Sequence, residues 1–360
     1  MRSVLFTIPL DGKVSLGPLG EVPVFGIGLL LALWGLFALI MVILQARRSG
    51  FADFAWNAAL TGGVVAAVII FLPRVITRIP VYGYGAMLFV GFVTATWVAS
   101  QRIRAQGFNG EIAWDAAMWL FVAGIFGARL FYVIQYSDRF FVKGRSTWQV
   151  LVSLISLPDG GIVFYGGLIG GGLAYYLYCR VKGVHPLAFA DIVITSVFIG
   201  MAFGRIGCLL HGCCYGDYCS LPWAITFPPE SVPVQELVSR GFLTDYSYRS
   251  LPLHPTQIYS AVGSGLLAVL TWAYYPFRQK DGSVLLLGWM TYPVHRFLVE
   301  FLRGDELGQF GTSLTISQWV SLGLLVCGSI FAIWLSRQPK GREPLIEHEV
   351  VEVPSRTALA

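Results

Sequence analysis

Nine stretches of this chain, at roughly 24–45, 55–72, 82–100, 115–136, 161–179, 187–209, 255–277, 283–303 and 315–336, read as crossing a hydrocarbon layer. A spanning helix needs about 20 apolar residues. Backbone polar groups find no water inside a bilayer, so a segment of this kind must satisfy its hydrogen bonds within itself, as a helix does. The second stretch is short and stops at Pro73, and the eighth carries His295, Arg296, Glu300 and Arg303. Composition agrees with the runs. Hydrophobic residues make up 56% of the chain and charged residues 12%, about half the ~25% of a soluble domain. A water-soluble enzyme, a disordered chain and a collagen-like fibre are excluded. The net charge of +5 is scattered without a basic stripe, so nucleic acid is not an expected partner. The expectation is an all-α polytopic membrane protein.

Lys and Arg near the span ends set the expected orientation. One group of loops holds Arg47 and Arg48, Arg102 and Arg104, Arg180 and Lys182, Arg278 and Lys280, and Arg337, Lys340 and Arg342. The opposite group includes the long loop 210–254, with only Arg240 and Arg249, but also Arg74 and Arg78, and Arg139, Lys143 and Arg145, so the bias is real but modest. The N-terminus is therefore placed outside and the C-terminus in the cytoplasm. The polar tail after Gly341 is expected to be disordered. Met1 to Val24 lacks the basic-then-apolar pattern of a cleaved signal peptide.

Charge inside an apolar span costs about 2.5–3.5 kcal/mol per residue at a helix centre, and such residues usually face a bundle interior or a wet cavity. Arg129, Arg205 and Arg296 lie inside or at the edge of spans. A guanidinium stays protonated and grips phosphate with two parallel bonds. Several arginines in a cavity open to lipid therefore point to an anionic lipid head group. Arg296, Glu300 and Arg303 share one helix face at i, i+4 and i+7, so an internal ion pair competes with a site there. Arg205 has no acid within a turn of it, which favours a functional role.

Two polar clusters accompany the arginines. Gly204-Arg205-Ile206-Gly207-Cys208-Leu209-Leu210-His211-Gly212-Cys213-Cys214-Tyr215-Gly216 should end or break its helix. His254-Pro255-Thr256-Gln257-Ile258-Tyr259 opens the next span, with proline suited to a first turn. Gly166-x-x-x-Gly170 and Gly167-x-x-x-Gly171 are pairs that let two helices approach closely. Cys208, Cys213, Cys214 and Cys219 admit a disulfide, packing as small hydrophobes, or a metal site. The spacing lacks the paired C-x2-C of structural zinc sites, and an outer-face location makes at least one disulfide the expectation.

Together these pieces resemble the prolipoprotein diacylglyceryl transferase family. The matching segments, in family order, are Tyr82-Gly83, Gly127-Ala128-Arg129-x-x-Tyr132, Asp159-Gly160-Gly161, Gly166-Gly167-Leu168-Ile169-Gly170, Gly204-Arg205-Ile206-Gly207, Gly212 with Gly216, His254 to Tyr259, and Arg296-x-x-x-Glu300-x-x-Arg303. They span about residues 80 to 336. The resemblance implies a seven-helix core at 80–336, preceded by an extension at 1–79 with two further transmembrane helices and followed by a cytoplasmic tail at 337–360. It implies transfer of a diacylglyceryl group from phosphatidylglycerol to the lipobox cysteine of a prolipoprotein signal peptide, in a bacterial inner membrane. Neither a metal nor an organic cofactor is implied. The competing reading is a lipid-binding or transport protein that keeps the fold without the chemistry.

Arg205 and Arg296 match the family's two essential arginines and are assigned to the departing phosphate. Tyr82, Arg129, Gly166, Gly167, Gly204, Gly207, His254, Gln257, Tyr259, Glu300 and Arg303 are the expected substrate-binding positions. Tyr165 stands where the family has histidine, Cys208 where it has asparagine, and His211-Gly212-Cys213 where it has Asn-Gly-Glu. A phenol is a poor base at neutral pH. Tyr165 is therefore read as a hydrogen-bond donor in the catalytic group, with His211 or His254 taking the thiol proton.

Overall fold

The fold is taken from a computed structural model that describes residues 4–15, 21–25, 29–46, 62–63, 65–74, 76–140, 146–155, 161, 163–244, 249–303 and 308–346. The chain divides into two units, Arg2–Ala86 and Met87–Ala360.

The N-terminal unit holds structure that the hydropathy pattern did not announce. Strands β1 (Val4–Pro9), β2 (Lys13–Ser15), β3 (Glu21–Pro23) and β4 (Arg78–Tyr82) form two antiparallel pairs, β1 with β4 and β2 with β3. Ile8 faces Ile79 and Val4 faces Tyr82 in the first pair. Short alternating stretches such as Arg78-Ile79-Pro80-Val81-Tyr82 have the two-residue period of strands. Helices α1 (Leu29–Ala46) and α2 (Val65–Arg74) lie in the first two predicted spans. Much of the second span, residues 55–61, is outside the described residues.

The second unit is helical. Its long helices are α3 (Gly83–Arg104, begun at the end of the first unit), α4 (Glu111–Gln135), α7 (Phe164–Lys182), α8 (Pro186–His211), α10 (Thr256–Tyr274), α11 (Ser283–Glu300) and α12 (Ile316–Ser336). The shorter α5 (Ser137–Phe140), α6 (Thr147–Ile155) and α9 (Val232–Ser239) lie between them. Among the described residues five helices, α3, α4, α8, α10 and α12, are long and apolar enough to cross a membrane. α7 and α11 fall below that measure. The former ends in Arg180 and Lys182, and the latter carries the charged face at Arg296 and Glu300. Large side chains such as Phe89, Phe126, Leu266 and Ile330 stand exposed along these helices. That is expected where lipid tails, and not water, surround them.

Glycine sets the closest helix contact. α4 packs most extensively on α7, and a methyl group on either Gly127 or Gly166 would collide with the carbonyl oxygen of the other. Gly170 meets the Ala123 carbonyl in the same way. The Gly166-x-x-x-Gly170 pair is thus the seam, and Gly167 only flanks it.

The end of the unit that carries Arg102, Arg180 and Arg278 contains the main core cluster, built on Ile103, Phe189, Ile192, Val284 and Leu345. Asp191, wholly buried in α8, accepts the backbone N–H of Gly282 at 2.9 Å and of Leu285 at 2.8 Å. Gly282 has no side chain to cap α11, so Asp191 supplies the cap from another helix, with Arg278 3.7 Å away to balance its charge. The expectation of a disordered tail fails for residues 341–346. The His185 N–H bonds the Leu345 carbonyl, Ile346 bridges to Val184, and Leu345 is buried. The apolar Leu345-Ile346 pair inside a polar tail is the reason. Residues 347–360 lie outside the described residues.

At the opposite end, the segment between α8 and α10 is a folded cap and not an open loop. Tyr215, Phe227 and Leu253 form its small core, and Ile225 pairs with Leu253.

Candidate active site

The helices alternate in direction. This brings the C-terminal ends of α8 and α11 and the N-terminal ends of α10 and α12 to the end covered by the cap. Four of the sequence motifs meet there.

Glu300 is the centre of the charged face. It is buried and pairs with Arg296, which also donates to Ser317 Oγ at 2.7 Å. Its second oxygen accepts from Thr315 Oγ1 at 2.8 Å, and Arg303 Nη1 lies 3.6 Å from the carboxylate. The Thr315 side chain also caps α12 in a capping box with Gln318. Two cations and one anion leave this cluster with a net positive charge. The ion-pair reading of Glu300 is correct, and it fixes the arginines in place.

Arg303 is tied to the cap by backbone. Gly216 and Arg303 form a bridge, Gly216 N–H bonds the His254 carbonyl at 2.9 Å, and Asp217 N–H bonds the Leu302 carbonyl at 2.9 Å. A side chain at Gly216 would run into His254 and the Leu302 carbonyl, so only glycine lets the three segments meet.

The His254-Pro255-Thr256-Gln257 cluster holds the loop after α8. Thr256 Oγ1 donates to the Cys214 carbonyl at 2.8 Å and Gln257 Nε2 to the Cys213 carbonyl at 2.9 Å, both from wholly buried side chains. Tyr259 accepts from Trp223 Nε1 at 2.7 Å and faces His254 Nδ1 at 3.3 Å. Gln257 was expected to contact substrate. Its Nε2 is instead committed to the loop that carries two cysteines.

Arg205 sits on α8, partly exposed, with Gly204 and Gly207 beside it. It makes no hydrogen bond or ion pair among the described residues. Its charge and that of Arg296 both reach the ring of His295, which packs over Gly263. His295 escaped the site reading because its only signal was one more polar residue in the eighth span. His211 is exposed at the C-terminal end of α8, before Gly212 in the left-handed conformation.

All six cysteines are free, so the expected disulfide is not formed. Cys208, Cys213 and Cys214 nevertheless bring their sulfurs within 4.8 Å of one another, while Cys219 is buried and accepts from Leu221 N–H. The Cys213 thiol donates to the Cys208 carbonyl at 3.9 Å.

Other predicted residues lie elsewhere. Arg129 donates to the carbonyls of Ser153, Leu154 and Gly161 at 2.7, 2.9 and 3.0 Å, clamping α6 and Gly161 to α4. Gly166 is committed to the α4–α7 seam. Tyr165 is 47% exposed and makes an edge-on ring contact with Phe164. Tyr82 belongs to the N-terminal unit and is exposed. Asp159 and Gly160 lie outside the described residues.

The family model for prolipoprotein diacylglyceryl transferase matches residues 70–334. The phosphatidylglycerol–prolipoprotein diacylglyceryl transferase of Rhodopirellula baltica is 28% identical, over 93% of this chain and 89% of that protein. Such coverage reaches into the N-terminal unit, so the first two helices are not wholly outside the similarity, as the motifs alone suggested. The Clostridium tetani protein of the same name is 34% identical over 71% of this chain and 94% of its own length. A Clostridium perfringens transferase, the second of that name, is 32% identical over 73% of this chain and 93% of its own length. With the arginine pair and its glutamate assembled at one end of a multi-pass helical bundle, the chain belongs to the prolipoprotein diacylglyceryl transferase family.

Proposed function

We propose that this protein moves the diacylglyceryl group of phosphatidylglycerol onto the lipobox cysteine of a prolipoprotein signal peptide, releasing glycerol phosphate. The observation that carries the reading is Arg205. It is a permanent cation on an apolar helix, without a hydrogen-bond or ion-pair partner among the described residues, and its charge meets that of Arg296 at His295. Such an arginine needs an anion from outside the protein, and a lipid phosphate supplies one.

The chemistry follows from the charge. The acceptor sulfur attacks a glyceryl carbon, the carbon–oxygen bond to phosphate breaks, and negative charge grows on the departing phosphate. Guanidinium donors fixed beforehand at that position lower the barrier, because nothing must reorganise during the reaction. Glu300 holds Arg296 and Arg303 in register for this. The seven-helix count for the core, the outer location of the capped end, the N-outside and C-cytoplasmic orientation and the inner-membrane setting belong to the same reading. They are supported by the alternation of helices and the placement of Lys and Arg.

Incubating the purified protein with phosphatidylglycerol and a lipobox peptide should add the mass of a diacylglyceryl group to the peptide. A peptide with serine for cysteine should gain nothing. No mass gain on the cysteine peptide, from protein that holds phosphatidylglycerol, would return the chain to the class of lipid-binding proteins.

A further inference from the structure

The three-cysteine cluster is a feature that the reaction above does not use. Cys208 occupies the last turn of α8. The chain then turns through Gly212, at φ +86°, and both Gly212 N–H and Cys213 N–H bond back to the Cys208 carbonyl, at 2.8 and 3.1 Å. Cys213 and Cys214 are thereby folded over the turn that carries Cys208. Cys214 holds φ at +58°, a conformation L-residues rarely adopt. The buried donors Thr256 and Gln257 keep it there through the two carbonyls. The result is three sulfurs within 4.8 Å of one another, two of them on partly exposed residues.

That arrangement has the dimensions of a thiolate metal site. Zinc–sulfur bonds of about 2.3 Å in a tetrahedron separate the sulfurs by about 3.8 Å, so a small closure suffices. Closed structural sites use four protein ligands; sites that bind a reactant use three and leave one position open. Three thiolates around a dication carry a net charge of minus one. A bound metal ion would take over the task otherwise left to His211 or His254. Tyr165 replaces histidine, and a thiol with a reference pKa near 8.5 is mostly protonated at neutral pH. A metal ion deprotonates a coordinating thiol outright.

We infer that Cys208, Cys213 and Cys214 form a three-thiolate site for a zinc-like divalent cation, whose fourth position takes the acceptor's cysteine as a thiolate. The inference rests on the transferase reading. On coordination the acceptor thiol gives its proton to water. A sulfur lone pair forms the bond to the glyceryl carbon, and the electron pair of the broken carbon–oxygen bond leaves on the phosphate oxygen, beside Arg205. The product thioether is a weaker ligand than a thiolate and vacates the position. No electron transfer is involved.

Cobalt(II) is the probe, added to the full-length protein in detergent. The protein should take up about one cobalt per chain and show the near-ultraviolet thiolate-to-cobalt absorption of a tetrahedral site. Cys208→Ser, Cys213→Ser and Cys214→Ser should each weaken binding on the order of 100-fold, while Cys219→Ser binds as the parent does. Adding the lipobox peptide should strengthen the absorption, and the serine peptide should not. The parent spectrum needs no variant, so misfolding of a serine variant does not blunt the test. Absence of the absorption, or a disulfide among the three cysteines on mass mapping without reductant, overturns the site. An absorption blind to the peptide overturns the role of the fourth position. Full transfer by metal-stripped protein overturns the inference and leaves the transferase reading standing; a peptide-sensitive cobalt site in a protein that transfers nothing does the reverse.

Discussion

Gln257, in the first turn of α10, donates from Nε2 to the backbone carbonyl of Cys213, 2.9 Å away and 44 residues earlier in the chain. The bond joins the two polar clusters of the sequence and holds the turn after α8 in a strained shape. Gln257→Ala leaves a buried carbonyl without its donor, at a cost of about 1–3 kcal/mol. The expected outcome is a lower thermal midpoint and faster alkylation of Cys213 by a membrane-permeant thiol reagent. Alkylation at the parent rate would show that the loop does not depend on this bond.

Arg205 and Arg296 differ in what they would lose. Arg205→Ala and Arg296→Ala should each slow transfer on the order of 100-fold or more, the worth of a charge-assisted contact to a developing phosphate. Of the two, it is Arg296 that bonds Glu300 and Ser317. Arg296→Ala should therefore also lower the thermal midpoint, whereas Arg205→Ala should not. Arg205→Lys should remain slow, because an ammonium lacks the planar fork. Near-normal turnover in either alanine variant removes that arginine from the phosphate.

Asp191 tests the opposite end of the bundle. It is wholly buried, caps α11 through two backbone N–H groups and balances Arg278. Asp191→Ala leaves two buried N–H donors uncapped and Arg278 with Asp281 as its remaining carboxylate, an expected loss of about 1–3 kcal/mol for each unpaired donor. Turnover per folded molecule should stay close to the parent, since the residue is at the end away from the site. An unchanged midpoint would refute the cap.

The close seam between α4 and α7 can be probed by contrast. Gly166→Ala drives a methyl group into the Gly127 carbonyl and should cost about 1–3 kcal/mol by overpacking. Gly172→Ala, on the same helix with nothing within 4 Å, should be neutral or gain up to about 1 kcal/mol from helix propensity. Equal midpoints for the two would show that the seam is looser than this.

Long apolar helices were legible because lipid demands a length and a composition. The predicted span 187–209 lies inside α8 at Pro186–His211, and 315–336 overlays α12 at Ile316–Ser336. The arginine–glutamate face was legible from its i, i+4, i+7 spacing. Contacts between distant segments were not. Asp191 belongs to no sequence motif, and its role exists only because α11 begins after a glycine. The core of Tyr215, Phe227 and Leu253 draws on residues almost 40 positions apart and has no local period. The cysteines were misjudged for the same reason. Their spacing fits no linear zinc motif, and only the turn at Gly212 brings Cys208 back against Cys213 and Cys214.

Tyr165 is where the sequence departs most plainly from the chemistry expected of its family. The residue lies in the first turn of α7, 47% exposed, with its ring edge-on to Phe164 at 5.9 Å between centroids. Among the described residues it makes no hydrogen bond or ion pair. Exposure on a helix that borders lipid suits a phenol that donates one hydrogen bond to a phosphate or glycerol oxygen, and it does not suit a general base. Tyr165→Phe removes a single neutral hydrogen bond, worth about 0.5–1.5 kcal/mol. Transfer should then slow by about tenfold or less, with the pH–rate profile keeping its shape, since the proton is taken elsewhere. Tyr165→His, which restores the residue usual in the family, should be tolerated. The decisive measurement is the profile of Tyr165→Phe. If the variant is almost inactive and its basic limb disappears, Tyr165 is itself the proton acceptor, and neither the donor role nor a metal-held thiolate is needed to explain the reaction.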